Sequence, residues 1–407
     1  MNSVTIESSS RPIVMKKIIT LVLILVLNTS INAQSISDSI TVELTKLSEE
    51  SNLVGFGVSI LNKDSIVYAK GFGYADKESK TPYTSHTVQP IASLSKTVLA
   101  VALMKAQEMG KLMLSDQIND YLPFKIFNPN FPNEAITIQQ LANHTSSILD
   151  GDSYDRTYTF KNKIPAFYMD FSDNELKEEL KTWVDFFNEN EMMPMGEFIK
   201  KQYVEGQIWY NKDQNFSVNK PGSTYKYSNM GATIAAYIIE QATGENYAEF
   251  VRKHILEPLQ MNNTGWRGKN YEPQNASSLY WYGFSMPVSD LISYPDGNMM
   301  TNVVDYGKIL RTMIRGYQGE NNLLSAESHK EMMKDPISNE FKKGILWTVD
   351  SEKIGHSGSD LGLLTHAYFL RETGVGIIVF VNTSDTENAT EDVRDIYRTL
   401  LKYAKKY

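Results

Sequence analysis

Apolar positions along this chain follow two rhythms. Between residues 54 and 74 (VGFGVSILNKDSIVYAKGFGY) two β-rich runs flank Asn62-Lys63-Asp64, a turn-forming group, and the spacing predicts a hairpin. Over residues 97–111 (TVLAVALMKAQEMGK) the rhythm becomes helical, with Gly110 and Lys111 as the stop signal. Helices and loops dominate from there to about residue 320. Strand character returns at 345–349, 363–370 and 375–381, the last two joined by Glu372-Thr373-Gly374, and a helix over 391–405 follows. Strands near both ends of a helical middle predict an α/β (α+β) fold. It has one antiparallel sheet built from N- and C-terminal strands, flanked by helices, with an inserted, mostly helical domain. The sheet part is expected at about 40–96 and 330–407 and the helical part at about 97–330.

The stretch 150–220 is polar and turn-rich, as a linker would be. It nevertheless holds fourteen aromatic residues in 71, and disordered linkers are poor in these, so an ordered subdomain is expected. It reads either as an ordinary helical unit or as a wall or lid beside a site. The run Leu279-Tyr280-Trp281-Tyr282 reads as core packing ahead of a groove wall.

With 407 residues, 42% of them hydrophobic, the chain can bury a sizeable core. A net charge of −8 argues against nucleic-acid and anionic-membrane partners, whose surfaces would repel such a field. Cysteine is absent, which removes disulfides, thiolate metal sites and thiol nucleophiles together, so covalent chemistry must use oxygen or nitrogen. The start resembles an export signal: Lys16 and Lys17 precede the apolar run 18–27, too short to span a bilayer, and Ile31-Asn32-Ala33 offers a cut after Ala33. Met15 directly before the lysines is an alternative start. Residues 1–33 are therefore expected to be a signal peptide, and the remainder to be periplasmic or secreted without a membrane anchor.

Three short motifs carry candidate chemistry. Ser93-Leu94-Ser95-Lys96 opens the first long apolar helix, where residues three apart share a face, so the Lys96 amine can lie beside the Ser93 hydroxyl as nucleophile and base. Lysine serves as a base near neutral pH only where burial or nearby cations lower its pKa. Ser-x-x-Lys recurs at Ser217/Lys220 and Ser223/Lys226, but around Lys220-Pro221-Gly222, which breaks regular structure. A helix-capping serine is the bland alternative for Ser93. Tyr227-Ser228-Asn229 offers a phenol to relay protons and an amide to bind a substrate amide; taken alone it reads as a turn and cap before a helix over 231–242. His356-Ser357-Gly358-Ser359 precedes the late strand pair, where glycine permits close backbone approach and the next N–H can complete an oxyanion hole. No two histidines stand at metal-ligand spacing on one helix, which disfavours a zinc enzyme; no metal or cofactor is expected.

In this order and behind an export signal, the three motifs resemble the serine β-lactamase and penicillin-binding-protein superfamily. Tyr-Ser-Asn in second place resembles the class C branch and its D-alanyl-D-alanine carboxypeptidase, D-aminopeptidase and esterase relatives. Leu141-Ala142-Asn143-His144-Thr145-Ser146, Glu257-Pro258-Leu259-Gln260-Met261 and Gly355-His356-Ser357-Gly358 add to a resemblance that covers roughly residues 40–400. It implies a β-lactamase/transpeptidase-like fold, Ser93 as the acylated nucleophile, Lys96 and Tyr227 as the proton-transfer pair, and Asn229, His356, Ser357 and Gly358 as substrate-binding residues. The backbone N–H groups of Ser93 and Ser359 would form the oxyanion hole. The expected partner is a small-molecule or peptide substrate. His356 departs from the lysine of Lys-Thr-Gly, which counts against efficient β-lactam hydrolysis, and imidazole is only partly charged near neutral pH. Ser147 stands where many relatives have glycine, and the 150–220 stretch exceeds the usual length. The alternative is a non-catalytic penicillin-binding or structural pseudoenzyme of the same fold.

Overall fold

The computed structural model describes residues 36–335 and 344–406. The expected export signal over 1–33 lies outside them. A helix reaching residue 50 (α1, 36–50) leads into the hairpin of β1 (Gly55–Leu61) and β2 (Ile66–Asp76), with β3 (Thr81–Pro82) at the edge. The turn is closed by Asn62, whose Oδ1 accepts from the backbone N–H groups of Asp64 and Ser65. Four late strands complete a seven-stranded antiparallel sheet: β4 (Thr348–Val349), β5 (Lys353–Asp360), β6 (Leu363–Leu370) and β7 (Gly376–Val381), in the order β4-β5-β6-β7-β1-β2-β3. The two ends of the chain meet where Phe56 pairs with Val381 and Leu61 with Gly376.

The period of two sorts the central strands between two cores. Phe56, Val58 and Ile60 of β1 and Ile377, Val379 and Val381 of β7 face α1 and the C-terminal helix (Ala389–Ala404), meeting Ile40, Leu44, Val393, Ile396 and Leu400. On the opposite face Ile378 and Phe380 join the larger core, which contains the helical body. Its axis is α2 (Ser95–Glu108), whose residues from Ser95 to Met104 are all buried; a helix apolar on every side belongs inside. A third cluster holds the 150–220 stretch together. Phe167, Leu180, Val184 and Phe187 pack with Trp281 and Met286, the latter two on a small hairpin (Leu279–Trp281 with Phe284–Met286). The stretch is thus ordered, with α3 (Asn174–Asn188) as its longest element.

Two elements depart from the sequence reading. The expected strand over 345–349 is paired only at Thr348–Val349. Conversely, KIGHSGSD (β5) is a full strand although two glycines and polar residues give it low intrinsic preference; pairing along its whole length with β6, from Lys353 with Leu370 to Asp360 with Leu363, sustains it.

Candidate active site

Ser93 sits in a 3-10 turn (Ala92–Leu94) that runs directly into α2, so the α-helix proper starts at Ser95 and its N-cap is Leu94, one residue past Ser93. No side-chain cap bond is made there. Ala92 adopts φ +45°, in the left-handed region that costs a side chain energy and recurs at functional sites. The Ser93 hydroxyl instead meets two other groups: it accepts from Tyr227 Oη at 2.9 Å and from Lys96 Nζ at 3.1 Å. Helical spacing delivers the lysine; the tyrosine arrives across 134 positions of sequence.

Tyr227 lies just before α4 (Asn229–Thr243), whose N-cap is Ser228, with Oγ accepting from Gly231 N at 2.9 Å. Asp150 covers the same helix start. Its Oδ1 accepts from Ser228 Oγ and Met230 N, both at 2.9 Å, and its Oδ2 from Asn229 N at 3.1 Å and Asn229 Nδ2 at 3.0 Å. A carboxylate is favoured at a helix N-terminus by the dipole and the open N–H groups. Because Nδ2 is turned toward Asp150, the amide oxygen of Asn229 faces Lys96 Nζ, 2.8 Å away. His144 supports the group from below, its ring centroid 4.4 Å from that of Tyr227 and Nδ1 accepting from Ser228 N at 3.2 Å.

Lys96 is wholly buried. Its third partner is the backbone carbonyl of Asp296 at 2.6 Å, so its three donors meet three acceptors. Burial pulls the Lys96 pKa down, but the Tyr227 oxygen, the Asp296 carboxylate and Asp150 outweigh it and hold the amine above the ordinary lysine value. The shift runs opposite to the lowering that a lysine base needs near neutral pH. Asp296 is buried as well; burial pushes its carboxyl up to about 6, with Lys96 pulling it back. Thr233 Oγ1 and Tyr154 Oη donate to its Oδ2 at 3.0 and 3.2 Å.

The third motif lies on β5. This strand packs so tightly on the Ser93 turn that a Cβ at Gly358 would stand 2.7 Å from Ile91 O and 2.9 Å from Ala92 Cβ. Glycine is required here by the approach of strand to nucleophile turn. His356 is buried, with its ring 6.4 Å from that of Tyr227 and Nδ1 2.5 Å from Ser357 O. Ser359, one residue past Gly358, is exposed beside the Ser93 turn. Two of the motifs thus meet on the Ser93 hydroxyl, and the third packs against the turn that carries it. Sequence reading missed Asp150 and Asp296, since a lone aspartate in a polar stretch carries no spacing signal. Ser147 adopts φ +65°, the conformation in which glycine is easiest, and Asn128 Nδ2 holds its Oγ at 2.9 Å.

The sequence matches the family described as Beta-lactamase over residues 43–401. Among curated proteins it is similar to Protein flp of Staphylococcus aureus (strain MW2), with 25% identity over 342 residues, 82% of this chain and 60% of that protein. The chain therefore spans only part of the length of that relative. Among solved structures, the octameric penicillin-binding protein homologue from Pyrococcus abyssi superposes with a TM-score of 0.66 at 24% identity, over 85% of this chain and 73% of that one. The D-amino acid amidase from Ochrobactrum anthropi SV3, complexed with L-phenylalanine, gives 0.65 at 18% identity, over 92% and 98%. At these identities the structural likeness establishes the fold.

Proposed function

The chain belongs to the β-lactamase family, and on that premise we propose that it is an exported serine hydrolase opening an amide or ester through an acyl-enzyme on Ser93. The observation that carries this reading is the pair of bonds on Ser93 Oγ, from Tyr227 at 2.9 Å and Lys96 at 3.1 Å. Nucleophile and base within hydrogen-bond reach, the base oriented by a third group, is the arrangement nucleophilic catalysis needs. Tyr227 carries its own proton in this bond, so it acts as a relay: its oxygen takes up the proton leaving Ser93 as its own proton passes to the leaving amine or alcohol.

Ser93 Oγ then bonds to the substrate carbonyl carbon, and the backbone N–H groups of Ser93 and Ser359 receive the oxyanion. The amine or alcohol departs with the proton relayed through Tyr227 as the scissile bond breaks, and Tyr227 is left a phenol. Water, deprotonated along the same route, releases the acyl group from Ser93. Asn229 keeps one amide hydrogen for a carbonyl of the substrate, the other being spent on Asp150. His356, beside Tyr227 on β5, receives a substrate carboxylate on the leaving-group side.

The test is incubation with a fluorophosphonate and a fluorescent penicillin, followed by intact mass and peptide mapping. A single adduct on Ser93 is expected with at least one reagent; no adduct with either would point to a non-catalytic binder of the same fold. Ester, D-alanyl-D-alanine peptide and nitrocefin substrates then sort the activity.

A further inference from the structure

A cavity of about 280 Å³ opens beside Ser359, at the end of β5 remote from His356. At about 3.3 Å per residue the two are some 10 Å apart along the strand, so the cavity lies on the acyl side of the reacting carbonyl if His356 takes the leaving-group side. Its lining joins the carboxylates of Asp155, Asp360 and Asp385 to the rings of Trp183, Phe187 and Trp281. The 150–220 stretch supplies Asp155 and, through α3, Trp183 and Phe187, whose rings stack at 5.5 Å.

Asp155 lacks a countercharge, whereas Asp360 is opposed by the charge of Lys96 and Asp385 accepts from Ser384 Oγ at 2.7 Å. Among the described residues no hydrogen bond or ion pair reaches the Asp155 carboxylate, and both bonds to Asp360, from Tyr158 Oη at 2.9 Å and Leu361 N at 2.8 Å, fall on Oδ1. No lysine or arginine belongs to the lining. Burial and the neighbouring Asp150, Asp152 and Asp360 push Asp155 up to about 6, and no cation opposes them. Half-buried carboxylates without a partner are costly unless a ligand brings the missing charge. Among the described residues no three acidic or imidazole groups converge to hold a metal ion. Aromatic faces beside carboxylates suit an organic ammonium, which both attract.

Resting on the hydrolase reading, we propose that this cavity is an acyl-side subsite for a substrate whose acyl group carries a protonated amine, held by Asp155 and Asp360 between the aromatic walls. The experiment compares p-nitrophenyl esters of hexanoic acid, 6-aminohexanoic acid and adipic acid (one carboxyl free), alike in chain and differing in terminal charge. The expected order of kcat/KM is cation over neutral over anion, with cation over neutral by roughly tenfold. Asp155→Asn and, separately, Trp183→Ala should shrink that ratio toward one. Equal rates for the three esters, or a cation preference untouched by both variants, overturns the subsite. A calorimetric titration of 6-aminohexanamide against hexanamide keeps the two readings apart. Tighter binding of the ammonium form, lost in Asp155→Asn, sustains the subsite even if no ester turns over. Turnover without any ammonium preference leaves the hydrolase and removes the subsite.

Discussion

Asp150 grips Asn229 twice with one oxygen, Oδ2 accepting from the backbone N at 3.1 Å and from the side-chain Nδ2 at 3.0 Å. That grip sets which end of the amide meets Lys96, and through Lys96 it bears on Ser93. Asp150→Asn would replace an acceptor of four bonds with a group whose amine faces other donors. The expected result is a loss of about 1–3 kcal/mol of stability together with a fall in kcat larger than any rise in KM. Thermal melting and steady-state kinetics on one ester check it; unchanged kcat would detach Asp150 from the site.

Ser93→Ala removes the proposed nucleophile and leaves the buried groups around it in place. Turnover should drop by at least about 10³-fold with a melting temperature close to wild type. Activity near wild type in a folded variant would mean that another group performs the attack.

Gly358→Ala tests the strand-to-turn contact. A methyl at 2.7 Å from Ile91 O and 2.6 Å from Thr365 Oγ1 forces β5 away from the Ser93 turn, costing about 1–3 kcal/mol as overpacking does. Activity should fall further than the stability change accounts for, because Ser359 moves with the strand. Melting curves and kcat/KM measured well below the transition separate the two effects.

The Asp296 carboxyl gives a pH signature. Its folded pKa, about 6, lies above the ordinary value of 3.8, so the folded state binds that proton more tightly than the unfolded chain does. Its contribution to stability is full below about pH 4 and is lost as pH rises through 6. Asp296→Asn removes this titration. Its stability relative to wild type should therefore rise between pH 4 and 7, by about 3 kcal/mol at most. Denaturant melts at several pH values check the slope; a flat or falling difference contradicts the assignment.

At His356, lysine would carry its charge throughout the range in which histidine ordinarily titrates. His356→Lys should flatten the pH profile of kcat/KM for carboxylate-bearing substrates and raise β-lactam turnover. An identical profile would remove His356 from the substrate's path.

Much of this arrangement was legible in the residues because it is local. The hairpin at Asn62 and the period-two burial of β1 and β7 follow from side chains a few positions apart. So does the placement of Lys96 one turn beyond Ser93. α1 is marked in the residues by Ile40, Leu44 and Leu47 along its apolar face. β5 is not legible in the residues, because its glycines speak against a strand until β6 pairs with it.

What the chain fixed by itself was the inventory: which groups could act as nucleophile, amine, phenol and amide, and the absence of thiols. Their states were decided only in three dimensions. Whether Lys96 holds its proton depends on the burial that penalises charge and on oxygens from Tyr227, Asp296 and Asp150 that restore it. None of these is near Lys96 in sequence. Field strength depends on distance and on exclusion of water, and only the packed fold sets either.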